Sequence, residues 1–201
     1  MKIAVFVSGR GSNLQAILNS SQDKRIIEVC AVFSDKLNCP AFNIAKSYYI
    51  PTFSLGNKEG CINYLELSGV LSKLKIDFIV LAGFLKLIPN EVVLNFDKRI
   101  INIHPALLPS FGGKGMFGIN VHKAVFESSA KISGVTVHFV GTEYDSGKII
   151  AQRCVDISDA GSPEEIAERV LKIEHQILPY VVGKFAEDKV KIINDRVVVL
   201  D

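Results

Sequence analysis

The chain has 201 residues, with 23 lysines and arginines against 21 aspartates and glutamates for a formal net charge of +2, and it is 48% hydrophobic and 22% charged. That length suits one ordinary domain or at most two small ones, enough to bury a core without help from a metal or disulfide. The near balance of charge excludes a basic nucleic-acid arm and an acidic tail, and the hydrophobic share excludes a disordered chain.

Five apolar residues, 3–7, follow Met1 and Lys2, too few for the apolar region of a secretion signal. The longest apolar stretch, 78–85, is shorter than a membrane span. A cytoplasmic location with no membrane partner is the expectation. The first half alternates strands, predicted over 2–7, 26–33, 48–53, 76–82 and 99–104, with helices predicted to begin near Ser12, near Pro40, near Asn57 and at Pro89. Several strands are near-continuous apolar runs, as parallel strands covered on both faces require. This succession predicts an open α/β sheet with right-handed crossovers.

The second half has a different rhythm. Residues 131–140 alternate, with Val135, Val137 and Phe139 on one face and Gly134, Thr136 and His138 on the other. A loop over 141–147 leads to a further strand at 148–155, so antiparallel pairing and a mixed sheet are expected. Ser162-Pro163-Glu164-Glu165 is a capping box with proline at the first helical position, opening a helix to about residue 177. Residues 189–200 read as a hairpin turning at Asn194 and Asp195. No repeat or linker divides the chain, so a single domain over 1–201 is expected.

Cys30, Cys39, Cys61 and Cys154 form no CxxC pair, and His104, His122, His138 and His175 have no metal-ligand spacing, so no metal is expected. Cys30 reads as a small core residue. Ser8-Gly9-Arg10-Gly11-Ser12-Asn13-Leu14 places two glycines between a strand and a helix whose free N–H groups can hold an anion. Leu14 stands where a dinucleotide fingerprint has its third glycine, although Asp35 after the second strand keeps that option open. The alternative is a capped helix without a ligand.

Asn102 and His104 are two apart on a strand, hence on one face, roughly 7 Å from each other. An amide donor and a titratable ring there can embrace an oxygen that gains negative charge. The loop 141–147 offers Glu143 and Asp145, either able to raise a nearby imidazole pKa, or is an ordinary Asp-Ser-Gly turn. The turn after residue 82 is a wall for a flat heterocycle, or plain core. Glu174 interrupts the apolar stripe of Ala167, Val170, Leu171, Ile177 and Leu178 and so needs a partner or a ligand. Gly112, Gly113, Gly115 and Gly118 mark a lid or a flexible loop.

Gly11-Ser12-Asn13-Leu14-Gln15-Ala16, Leu81-Ala82-Gly83-Phe84, Asn102-Ile103-His104-Pro105, Leu107-Leu108-Pro109, Val137-His138-Phe139 and Glu174-His175 occur in one order. In these the chain resembles the phosphoribosylglycinamide formyltransferase family, the folate-dependent transformylases of purine synthesis. The resemblance implies a single-domain Rossmann-like α/β formyltransferase fold, a mostly parallel twisted sheet with an antiparallel C-terminal part. Residues 1–104 would be the nucleotide-phosphate half, and 105–201 the folate and catalytic half with the C-terminal helix and hairpin. It implies that Gly11, Ser12 and Asn13 hold a ribonucleotide 5′-phosphate and Glu174 its ribose hydroxyls. Leu85, Lys86, Leu87 and Ile88, with Asn102 and His138, would line the folate site. Asn102, His104 and Asp145 would be the catalytic trio.

The implied reaction is direct transfer from 10-formyltetrahydrofolate, a co-substrate, to the amine of glycinamide ribonucleotide. Asn102 and a protonated His104, kept charged by Asp145, would stabilise the tetrahedral oxyanion. The implied partners are these two small molecules, with no nucleic acid and no membrane, in a monomer or weak homodimer. Lys86 stands where many members have arginine, keeping the charge without the bidentate fork; Lys58 is the nearest cation to a second family arginine. The rivals are methionyl-tRNA formyltransferase and formyltetrahydrofolate deformylase, whose extra domains 201 residues do not accommodate, a non-catalytic nucleotide- or folate-binding module, and a dehydrogenase using Gly9, Gly11 and Asp35.

Overall fold

A computed structural model describes residues 1–21 and 26–201. The chain forms two compact units, Met1–Asn102 and Ile103–Asp201.

The first unit contains β1 (Lys2–Val7), α1 (Ser12–Ser21), β2 (Glu28–Ser34), α2 (Ala41–Ser47), β3 (Thr52–Ser54), α3 (Leu67–Lys73), β4 (Phe78–Leu81), α4 (Asn90–Asn95) and most of β5 (Ile100–His104). Its strands are hydrogen-bonded in the order β3-β2-β1-β4-β5, and all pair in parallel. Ile3 to Val7 are wholly buried, which is why β1 is an unbroken apolar run rather than an alternating one. Phe6 stacks on Phe33 at 4.8 Å and meets Phe84 edge-on at 5.4 Å.

The strand order reverses between β1 and β4, so the chain leaves these neighbours toward opposite sides and opens a crevice at their C-terminal ends. Two hydrogen bonds fix that crevice. Ser8 N donates to the Gly83 carbonyl at 3.1 Å, and Leu85 N donates to Ser8 Oγ at 3.0 Å.

Three expectations in this unit need correction. The strand predicted over 48–53 is only β3, because α2 runs to Ser47 and the Tyr48, Tyr49 and Ile50 amides bond back to Ala45 and Lys46. Tyr49 adopts a left-handed φ of 57° that ends the turn. The helix predicted near Asn57 starts at Leu67 instead. Gly56 and Gly60, both at positive φ, form turns first, and Asn63 Oδ1 then accepts from Leu65 N at 2.9 Å. Cys30 is half-buried rather than core, and burial raises its thiol pKa to about 11.

The second unit contains α5 (Ile119–Glu127), β6 (Ile132–Phe139), β7 (Ile149–Asp156), α6 (Pro163–Ala186), β8 (Val190–Ile193) and β9 (Arg196–Val199). β6 and β7 are antiparallel, with Thr136 opposite Gln152 and a register shift between Val137 and His138. α6 packs on β6, β7 and α5. Its start is as read: Ser162 Oγ accepts from Glu165 N at 3.2 Å, and Glu165 Oε2 accepts from Gly161 N at 2.8 Å.

α6 continues nine residues beyond the expected end, through Pro179. A proline there removes one helical hydrogen bond, but buried Ile177, Leu178, Val181 and Val182 extend the apolar face past it. α5 was not anticipated. The β8–β9 turn is as expected, Asn194 and Asp195 both taking positive φ. The α/β class stands, with parallel strands in the first unit and antiparallel β6–β7 in the second.

Candidate active site

In the first unit, Gly11 has φ +82°, and a Cβ there would lie 2.6 Å from Ala41 Cβ. Only glycine lets α2 approach the loop this closely. The loop delivers Ser12 and buried Asn13 into the first turn of α1, which carries no acidic residue. The positive end of the helix is therefore uncompensated by its own sequence.

On the facing strand end, Leu85 is half-buried, Lys86 and Leu87 are exposed and Ile88 is buried. Lys86, Leu87, Ile88, Pro89, Asn90 and Tyr64 line an open cavity of about 490 Å³. Lys58 is exposed in the turn before α3. Asn102 is half-buried on β5, beside Leu81 of β4. It stands two residues before His104, so the two side chains leave β5 on the same face.

In the second unit, three predicted residues come together. His104 is 3% exposed and His138 2% exposed. Asp145 Oδ2 lies 3.6 Å from His104 Nδ1, and Asp145 Oδ1 lies 3.6 Å from His138 Nε2. Each ring's other nitrogen faces a main-chain carbonyl: His104 Nε2 meets Phe111 O at 2.8 Å, and His138 Nδ1 meets Phe139 O at 2.8 Å. A carbonyl only accepts, so those nitrogens carry protons, and the other nitrogen of each ring is turned to the carboxylate. Gly113 N also donates to Asp145 Oδ2 at 2.8 Å. Asp145 itself has φ 54°, a left-handed conformation that aspartate tolerates better than most residues.

Asp145 pulls charge onto His104, as its place beside the ring predicts, and burial opposes it. Burial lowers the His104 pKa from its ordinary value, and the attraction of Asp145 and the bond to Phe111 offset this only in part. Burial pushes the Asp145 carboxyl up, but the bonds from His138 and Gly113, with the pull of both imidazoles, bring it below its ordinary value. The carboxylate is thus ionised between two buried rings.

Glu174 lies half-buried in the middle of α6. His122 of α5 is 5% exposed, its Nδ1 has no hydrogen-bond partner, and burial followed by the charge of His104 lowers its pKa to about 4. The sequence reading gave His122 no role, and it missed Phe111 and Gly113, which act through backbone atoms that residue type does not announce. It also passed over Thr136 and Gln152, although Thr136 was placed on the face of His138. Among the described residues, no cluster of His, Cys, Asp or Glu is arranged to hold a metal, and no helix is long and apolar enough to cross a membrane.

Residues 1–182 match the family described as formyl transferase. The chain is 48% identical over 195 residues to a chloroplastic phosphoribosylglycinamide formyltransferase of Arabidopsis thaliana, covering 94% of this chain and 67% of that protein. It is 34% identical over 205 residues to phosphoribosylglycinamide formyltransferase of Haemophilus influenzae, covering 100% and 93%. The crystal structure of phosphoribosylglycinamide formyltransferase from Anaplasma phagocytophilum superposes with a TM-score of 0.90 at 35% identity, over 100% of this chain and 93% of that one.

Proposed function

The chain belongs to the formyl transferase family, and on that premise we propose that it transfers the formyl group of 10-formyltetrahydrofolate to the amine of N1-(5-phosphoribosyl)glycinamide in purine biosynthesis. The single observation that carries the chemistry is Asp145, each of whose oxygens faces a different buried imidazole at 3.6 Å. The amine nitrogen attacks the formyl carbon, the carbonyl oxygen becomes an oxyanion, and the bond from carbon to the folate nitrogen breaks.

The Asn102 amide donates to that oxyanion, and a protonated His104, paired with Asp145 across 3.6 Å, stabilises it by charge. The attacking amine sheds one proton, which the leaving nitrogen takes up. Asp145, ionised beside His104, relays that proton. No covalent enzyme intermediate is required, since positioning and charge stabilisation lower the barrier.

Gly11, Ser12 and Asn13 hold the 5′-phosphate on the amides opening α1, a role supported by the acid-free first turn. Glu174 takes the ribose hydroxyls. The folate lies along Leu85 to Ile88 with Asn102 and His138. Exposed Leu87 suits an aromatic ring there, and Lys86 suits a carboxylate. The two units act as halves of one formyltransferase domain. The four free cysteines fit a reducing compartment, and we assign the chain to the cytoplasm as a monomer or weak homodimer. The Arabidopsis relative is named chloroplastic.

Another formyl-folate enzyme or a non-catalytic module is not favoured, given the names of the relatives at 48% and 34% identity. The test supplies 10-formyltetrahydrofolate with glycinamide ribonucleotide, with initiator methionyl-tRNA, or with water alone as acceptor, and follows absorbance of the deformylated folate. Turnover only with the ribonucleotide is expected. Turnover with water alone, or none with any acceptor, overturns the reading.

A further inference from the structure

β1 and β4 pair as parallel strands up to Phe6 and Leu81. Their main-chain ladder runs two rungs further: Ala82 N donates to the Phe6 carbonyl at 2.8 Å, and Ser8 N to the Gly83 carbonyl at 3.1 Å. There it stops, because Gly83 takes a φ of +79° and swings the chain out of the strand direction. Phe84 is still buried, edge-on to Phe6. The next amide, that of Leu85, has left the ladder and needs another acceptor. The Ser8 hydroxyl, on a residue 2% exposed, accepts from it at 3.0 Å. A side chain replaces the missing rung at the point where residues 85–88 begin.

We propose that Ser8 is a positioning residue of the folate site: its buried hydroxyl fixes the course of the main chain over 85–88. The inference rests on the reading of those residues as the folate wall. Leu85 is half-buried, and Lys86 and Leu87 are exposed, so packing holds the wall weakly until buried Ile88. The bond to Ser8 supplies direction instead, because it fixes the plane of the Phe84–Leu85 peptide from which the wall sets out. Without that oxygen the Leu85 amide is left unpaired or turns to water, and the segment turns with it. Folate binding then has to draw the segment back, which costs affinity. Ser8 also precedes Gly9, so it ties the wall to the loop that takes the ribonucleotide phosphate. The Ser8 amide keeps its own bond to Gly83, so that loop holds its shape when only the hydroxyl is lost.

In the full chain, Ser8→Ala removes the hydroxyl and keeps the amide, and Ser8→Thr keeps both. Amide hydrogen exchange, resolved by residue in NMR spectra, reads the bond, and calorimetric titration with tetrahydrofolate reads the wall. In Ser8→Ala the Leu85 amide is expected to lose its protection while the Ser8 amide retains it. Affinity for tetrahydrofolate should fall about tenfold. The KM for 10-formyltetrahydrofolate should rise by the same factor, with kcat and KM for the ribonucleotide within about twofold of the parent. Ser8→Thr should recover both protection and affinity.

Equal tetrahydrofolate affinity in the parent and Ser8→Ala overturns this role. So does an equal rise in both KM values, which a general loosening of the crevice would give, or protection restored by Ser8→Thr without affinity. A parent that binds no tetrahydrofolate overturns the folate reading itself, and this role with it.

Discussion

His104 Nε2 donates to the Phe111 carbonyl at 2.8 Å, and this one bond decides that Nδ1 is the nitrogen turned to Asp145. The carboxylate and burial act on that ring in opposite directions. A carboxylate 3.6 Å away stabilises an imidazolium, but a ring that is 3% exposed has lost most of its water, and burial is the larger effect.

His104→Ala and Asp145→Asn are expected to fold and to bind ribonucleotide as the parent does, while kcat falls roughly a hundredfold or more. Asparagine is chosen at 145 because it tolerates the left-handed backbone there. Circular dichroism, calorimetric binding of glycinamide ribonucleotide and steady-state rates check the three parts. Parent-like rates in both variants reject the mechanism.

Stability is expected to fall as pH drops from about 6.5 toward 4. His122 titrates at about 4 in the folded protein against an ordinary 6.5, so through that window the unfolded chain takes up a proton the folded one refuses. His104, also lowered, adds to the same slope. Below it Asp145, lowered from its ordinary 3.8, contributes stability present above that value and lost as pH falls through its folded pKa. Urea midpoints at pH 7.5 and pH 5 measure the effect. His122→Gln, which cannot take up the proton, should show the shallower dependence; an identical slope would remove His122 as the source.

Gly11→Ala is expected to destabilise the protein by about 1–3 kcal/mol, from a non-glycine residue at φ +82° and the collision with Ala41. It should also weaken ribonucleotide binding at least tenfold, because the amides opening α1 shift. Ala41→Gly in the same chain should recover part of the stability by removing the contact but not the backbone strain. Unchanged urea midpoints and affinity would show that the loop geometry is not needed.

Lys86→Ala is expected to raise KM for 10-formyltetrahydrofolate about tenfold and leave KM for the ribonucleotide alone, with Lys86→Arg equal to or better than the parent. The side chain is exposed beside the cavity of about 490 Å³, so its removal should not disturb stability. A rise in ribonucleotide KM instead would move Lys86 to the other substrate.

The parts legible in the sequence are those where residue type and period say the same thing. β1 is a buried apolar run with two glycines after it, Ser162 and Glu165 spell a helix start, and Asn194-Asp195 spell a hairpin turn. The cluster of His104, His138 and Asp145 was legible as residue types, because a strand period put His138 on a face and a turn offered Asp145. Two kinds of feature were hidden. The helix expected to end near residue 177 runs on through Pro179, since the pattern of single residues cannot show that Val181 and Val182 would be buried and carry it on. The burial of His104 and its contact with Phe111 were hidden because desolvation is a property of the fold, and every residue supplies a carbonyl whatever its side chain.

The same fact shapes how such a contact is inherited. Position 111 offers its oxygen whatever its side chain, so an exchange that tolerates the left-handed φ of 55° there leaves the acceptor in place. What selection has to guard is the count of residues between the ring and the chain that meets it. One residue gained or dropped between 104 and 111 would silence the enzyme more surely than most exchanges of letter within that stretch.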